Sequence, residues 1–117
     1  MGRIPLLVCA ILTIAYAAPS MAETVPSSAA CSADAIKQAK KLLVFHLDGE
    51  DKDVYVGDEA KPLPSIVNPA SSKQRFDVLE VRGSFYKGEY RMRFEYFRMK
   101  DGECVLMGQE ILEIARL

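Results

Sequence analysis

The feature that most constrains the fold is a set of three alternating polar and apolar segments in the second half of the chain. They cover about residues 75–86, 89–100 and 103–114, and turns that end at Gly88 and Gly102 separate them. Alternation with a period of two is typical of strands, and two-residue turns that end in glycine suit tight hairpins. The sequence therefore predicts a three-stranded antiparallel meander.

The two turns, taken as residues 87–88 and 101–102, also predict which residues lie opposite one another. The predicted cross-strand pairs include Tyr86–Glu89, Val81–Phe94, Leu79–Tyr96, Met99–Cys104 and Arg98–Val105. In this register one face collects the predicted core: Leu79, Val81, Phe85, Tyr90, Met92, Phe94, Tyr96, Val105 and Met107. Gly108 predicts a bulge in the last strand.

The opposite face of the predicted sheet is charged over most of its length. Its charged members are Glu80, Arg82, Arg91, Arg93 and Glu95. Near the second turn this face becomes apolar, with Phe76, Val78, Phe97, Met99 and Leu106, and with Cys104 beside them. We expect residues 60–74, or the N-terminal segment, to cover this apolar end. The alternative is an exposed patch of the kind that binds a partner.

An amphipathic helix is predicted over residues 33–46. Its apolar residues recur at helical spacing: Ile36, Ala39, Leu42 and Leu43. Ser32 is the predicted N-cap and Gly49 the predicted stop. An acidic segment follows over residues 48–59, with a short strand predicted at 54–56.

The predicted fold class is α+β, an N-terminal helix packed on an antiparallel meander of three to four strands. Residues 60–74 contain three prolines and are predicted as an irregular or extended connection, in which 66–67 are the candidate for a short edge strand. A helix against an antiparallel sheet resembles cystatin-like folds in architecture. The chain lacks the inhibitory loop signature of cystatins, so the resemblance implies an arrangement and no function.

The first 22 residues have the order of a secretory signal peptide. Arg3 supplies a positive charge, an apolar run covers residues 6–14, and small residues, Ser20 and Ala22, stand where a signal peptidase cuts. The apolar run is too short for a membrane span, which takes about 20 residues. We expect cleavage after Ala22, or after Ala17 as the second choice, and export to the periplasm or out of the cell.

Removal of this leader leaves 95 of the 117 residues, a flexible N-terminus over 23–32 and a single domain over 33–117. It also removes Cys9, so that Cys31 and Cys104 remain. Two cysteines in an exported domain predict one disulfide, whose loop of roughly 74 residues contributes about 4 kcal/mol to stability. Free thiols, an intermolecular bridge and lipidation of Cys31 are the alternatives.

Few residues offer catalysis or metal binding. The acidic segment does not fit an EF-hand loop, because the sixth position counted from Asp48 is Asp53 where the motif needs glycine. His46, the only histidine, is predicted to cap or pack at the end of the helix. Glu80 and Glu95 are predicted neighbours among arginines, which keep carboxylates ionised and unsuited to acid catalysis. We predict no catalytic residue, metal or cofactor.

Nucleic acid is an unsuitable partner despite eight basic and four acidic residues over 73–100. Removal of the leader takes away Arg3, one of 15 basic residues, and none of the 16 acidic ones, so the net charge falls from −1 to −2. Most aromatic residues of this region also fall on the predicted core face, where they cannot stack on bases.

The leading prediction is a small exported, non-catalytic module that binds a protein partner in the cell envelope or outside the cell, as an inhibitor does. It is not embedded in the membrane after cleavage. The predicted binding residues are Arg82, Arg91, Arg93, Phe97 and Met99. The alternatives are a small-molecule carrier with a pocket between helix and sheet, and an enzyme that uses His46.

Overall fold

The computed structural model of the protein describes residues 2–5, 10, 11, 13, 24–48 and 53–117. The predicted cleavage sites and Gly49 lie outside these residues. The elements in chain order are α1 (Ser32–His46), β1 (Tyr55–Val56), β2 (Lys61–Asn68), β3 (Ser71–Phe85), β4 (Gly88–Arg98) and β5 (Cys104–Arg116). The described residues thus form one helix and a five-stranded antiparallel sheet, which confirms the α+β class.

The sheet is built around β3. This strand pairs with β4 along one edge and with both β1 and β2 along the other, while β5 pairs with β4. The predicted meander is therefore confirmed as β3, β4 and β5. Of the two alternatives for residues 60–74, the irregular one is wrong, because these residues form β2, a turn at Pro69 and the start of β3; the extended one is correct, with a strand longer than the predicted 66–67. Pro62 is tolerated because β2 is the last strand on its side of the sheet, and Pro64 because it lies in the irregularity between Leu63 and Ile66, where the pairing with β3 is interrupted.

Helix α1 agrees with the predicted range of 33–46, but its first turn differs. Cys31 is the N-cap and no side chain caps the helix; the Ser32 hydroxyl instead donates a hydrogen bond to the carbonyl oxygen of Ala29 at 2.7 Å. The helix and the sheet share one core of buried side chains: Cys31, Ala35, Ala39, Leu43, Leu79, Val81, Tyr90, Met92, Phe94 and Tyr96.

The register between β3 and β4 differs from the prediction by two residues, since Val81 lies opposite Met92 and not Phe94. The turn is made by Tyr86 and Lys87, and Tyr86 has a φ of 50°. Non-glycine residues seldom adopt positive φ, so the sequence favoured a turn at the glycine instead. A shift of two residues leaves every side chain on its predicted face.

The register at the start of β5 differs by one residue, because Arg98 lies opposite Cys104 rather than Val105. A one-residue shift exchanges the two faces of a strand. The prediction that Val105 and Met107 belong to the core is therefore wrong. Cys104 and Leu106 pack against the core in their place.

The predicted bulge near Gly108 is confirmed. Leu106 lies opposite Tyr96 and Gly108 lies opposite Glu95, so Met107 is the extra residue. Because the bulge adds one residue, the pairing beyond it returns to the register that a loop at 101–102 predicts.

The disulfide between Cys31 and Cys104 is confirmed, with a Cα–Cα distance of 5.9 Å and a sequence separation of 73. It joins the residue before α1 to the first residue of β5. The one-residue shift turns Cys104 towards the helix, where Cys31 is buried. The bond uses both thiols and so excludes free thiols, an intermolecular bridge and lipidation of Cys31.

Candidate binding face of the sheet

One face of the sheet lies away from α1, and we call it the open face. Along β4, Met92 and Phe94 point to the helix side and are completely buried, whereas Arg91, Arg93 and Glu95 alternate with them and are partly exposed. Paired residues share a face, so the pairing extends this face to the neighbouring strands. Its members include Lys61, Leu63, Ile66, Phe76, Val78, Glu80, Arg82, Arg91, Arg93, Glu95, Phe97, Val105, Gly108, Glu110 and Leu112.

Glu80 is the buried charge of the open face, with an exposed fraction of 7%. It lies opposite Arg93, which corrects the predicted pairing with Glu95, and the cause is the two-residue register shift. Its carboxylate accepts hydrogen bonds from Nε of Arg82 at 3.1 Å and Nε of Arg93 at 3.0 Å. Burial alone would raise the pKa of Glu80, but the hydrogen bonds from Arg93 and Arg82, with their charges, hold it below 4.5. Glu80 therefore stays ionised and cannot serve as a general acid.

Glu110 of β5 extends this ion-pair cluster. Its Oε1 lies 3.7 Å from Nη2 of Arg91 and 3.8 Å from Nη1 of Arg93. The Nε of Arg91 is buried and has no hydrogen-bond partner among the described residues. An unsatisfied buried donor costs about 1–3 kcal/mol, so Arg91 carries hydrogen-bonding capacity that the fold itself does not use.

A groove of about 590 Å³ crosses the open face. Its lining residues belong to strands β2, β3, β4 and β5: Leu63, Pro64, Ile66, Val78, Arg93, Glu95, Gly108, Gln109 and Glu110. At Gly108 an added Cβ would lie only 2.6 Å from a carboxylate oxygen of Glu95, so the glycine makes room for that side chain. The groove thus has an apolar wall on β2 and β3 and a charged wall on β4 and β5.

The apolar end of the open face is partly covered. Phe76 and Val78 are 5% and 7% exposed, and they lie opposite Ile66 and Leu63 of β2. The N-terminal segment contributes too, because the hydroxyl of Ser27 accepts a hydrogen bond from the Val78 N–H at 2.7 Å. Both segments that were expected to cover this end therefore lie beside it.

Four of the five predicted binding residues share the open face. Arg82, Arg91 and Arg93 lie together, with Arg82 directly opposite Arg91, and Phe97 lies further along β4. Met99 does not join them, because it stands in the turn after β4, where it is 45% exposed.

Sequence reasoning missed the part of the groove that β2 and β5 supply. The prolines concealed β2, and with it Leu63 and Ile66. The position of Glu110 could have been predicted, because a loop at 101–102 places it opposite Arg93, and this pair occurs in the structure.

The other candidate residues, His46 and those of the acidic segment, give less support for a functional site. His46 is exposed and contacts the ring of Tyr90 edge-on at 5.6 Å, with no hydrogen bond to a described residue. Among the described residues no three His, Cys, Asp or Glu side chains form a cluster that could hold a metal ion. The acidic residues at positions 50 and 51 lie outside the described part of the chain.

A carrier pocket was predicted between α1 and the sheet, and the part of this space directly beneath the helix is filled with side chains. Leu43, Leu79, Met92, Phe94 and Tyr96 have no exposed surface there. A groove does occur at the margin of the helix, between α1 and β1.

In the described part of the chain, no helix has the length and apolar character needed to cross a membrane. No protein-family model matches the chain, and comparisons with curated proteins and with solved structures give no significant match.

Proposed function

We propose that this protein is an exported, non-catalytic module that binds a protein partner through the open face, in the manner of an inhibitor or accessory factor. The observation that carries the proposal is the groove, in which an apolar wall meets a charged one. Protein interfaces commonly combine apolar contact with a polar surround and are enriched in arginine.

The ion-pair cluster suits recognition better than catalysis. Arg82 and Arg93 hold Glu80, while the side chain of Glu110 is 52% exposed and reaches Arg91 and Arg93 only at 3.7 and 3.8 Å. A partner could replace these loose contacts of Glu110 without disturbing the buried pairs. Arg91 would then supply a donor for the partner.

Export is part of the proposal. The order of residues 1–22 predicts a cleaved leader, and two of its apolar residues, Ile4 and Ile11, are 89% and 83% exposed. A disulfide persists in oxidising compartments such as the periplasm or the extracellular space. We therefore propose a mature protein that begins at Glu23 and works in one of these two compartments.

A helix that precedes an antiparallel sheet supports the proposed analogy with cystatin-like architecture. The analogy adds nothing about the partner, because one fold serves many functions. An enzyme that uses His46 is the least supported proposal, since this residue has only an aromatic contact.

Site-specific photo-crosslinking in envelope extract of the native host tests the proposed face. A crosslinking amino acid replaces Ile66 on the apolar wall in one variant and Glu110 on the charged wall in another. A third variant carries it at Lys87, an exposed turn residue outside the groove. We expect the first two variants to give an adduct with the same partner protein and the third to give none.

Adducts that form equally at Lys87, or that differ between Ile66 and Glu110, would contradict the proposal. Circular dichroism of each variant checks that the fold is kept.

A further inference from the structure

A second groove lies on the other side of the molecule, along the flank of α1. It has a volume of about 710 Å³, within the range of about 300–1,000 Å³ that ligand pockets occupy. Its lining comes from the helix and from the segment around β1: Ile36, Lys37, Lys40, Lys41, Val44, Val54, Tyr55 and Val56.

The floor of this groove is aliphatic. Ile36 and Val44 lie two helical turns apart on α1, and Val54, just before β1, and Val56, within it, line the groove opposite them. All four are only partly buried, so the fold does not fill the groove with its own side chains. An apolar chain laid along this floor would remove more of their surface from water.

The rim of the groove is basic. Lys37, Lys40 and Lys41 stand along it, and none of its described lining residues is acidic. Lys37 and Lys41, one helical turn apart, are exposed and form no ion pair with a described residue. An anionic head group could contact both ammonium groups while the rest of the ligand lies on the floor.

We infer that this groove binds a single-chain anionic amphiphile, namely a fatty carboxylate, with its head group at Lys37 and Lys41 and its alkyl chain over Ile36, Val44, Val54 and Val56. Charge complementarity selects a negative head group, and the aliphatic floor selects an alkyl chain. This site is separate from the open face, so it does not rest on the proposed protein partner.

Calorimetric titration with dodecanoate below its micellar concentration tests the inference on the oxidised protein. We expect saturable one-to-one binding, and an increase in affinity from octanoate to decanoate to dodecanoate of up to fourfold per methylene, the limit for complete burial. Dodecyl maltoside and dodecyltrimethylammonium carry an alkyl chain one carbon longer and should still bind about three- to tenfold more weakly, because they lack the negative charge that the two exposed lysines attract. Amide chemical shifts should change mainly over residues 36–44 and 54–56.

The double variant Lys37→Glu/Lys41→Glu should bind dodecanoate at least about tenfold more weakly. The matched control, Lys73→Glu/Lys87→Glu, reverses two exposed lysines outside the groove and should bind as the wild type does. If the two double variants unfold at the same temperature, a difference in their affinity for dodecanoate does not come from a difference in stability. The inference is overturned if dodecanoate shows no saturable binding, if all three amphiphiles bind alike, or if both double variants lose affinity equally.

Discussion

The two faces of strand β4 differ in burial and in the contacts that their side chains make. On the helix side, Met92, Phe94 and Tyr96 are completely buried against α1. On the open face, Arg91 and Arg93 keep partial exposure and pair with carboxylates of β3 and β5. The helix side therefore supplies most of the hydrophobic contribution to folding stability. Changes to side chains on the open face should lower the free energy of unfolding by less.

The largest expected effect compares one aromatic residue from each face. Phe94→Ala should lower the free energy of unfolding by about 4 kcal/mol, because it leaves a cavity in a fully buried site. Phe97→Ala, on the open face and half-buried, should lower it by about 1 kcal/mol. Urea unfolding of the oxidised protein measures both, and equal losses would show that the open face is packed like the core.

The next comparison concerns two carboxylates of the open face. Glu80→Gln should cost about 2 kcal/mol at neutral pH, because it leaves Arg82 and Arg93 without their buried partner. The side chains of these arginines are 61% and 36% exposed, so water screens part of the loss. Glu95→Gln, at a residue without an ion pair to a described residue, should cost less than about 0.5 kcal/mol.

The cost of Glu80→Gln should also depend on pH. The folded-state pKa of Glu80 lies below its ordinary value of 4.5, so the ionised carboxylate stabilises the fold fully above that pH. This contribution is lost as pH falls through the folded pKa. Unfolding curves of wild type and variant should therefore converge in acid, and a constant difference down to low pH would contradict the ion-pair role.

The last comparison takes a glycine from each face. A Cβ at Gly83 would lie 2.9 Å from the backbone oxygen of Tyr55 and 3.0 Å from side-chain atoms of Leu43 and Met92. Gly83→Ala should cost about 2 kcal/mol, because backbone and packed core cannot move aside easily. Gly108→Ala meets only the mobile end of Glu95 and should cost less than about 1 kcal/mol. Thermal unfolding measures both, and a larger loss at Gly108 would reverse the comparison.

Whether an element could be predicted depended on the kind of sequence pattern that its residues form. The range of α1 and the three long strands could be read from periodicity, because burial of one face imposes it. β2 could not, because two prolines are typical of loops and become acceptable only at a sheet edge. The turn at Tyr86 could not be predicted either, because its positive φ is stabilised by the hairpin and not by the residue type.

The candidate site depended on register more than on composition. The arginines of the open face were visible as an alternating charged series, but the partner of Glu80 changed from Glu95 to Arg93 with a shift of two residues. Glu110 joined them through the bulge at Met107. Residue types thus predicted a charged face, and pairing decided which charges meet.

The α+β class, helix α1, the meander and the pair of cysteines follow from local properties of the chain, namely alternation, helical spacing and thiol chemistry. Strand β2, the side of the sheet on which Cys104 lies, and the two grooves arise only when the chain is packed. Each of these depends on which backbone groups pair across distant parts of the chain, and a displacement of a single residue exchanges the two faces of a strand.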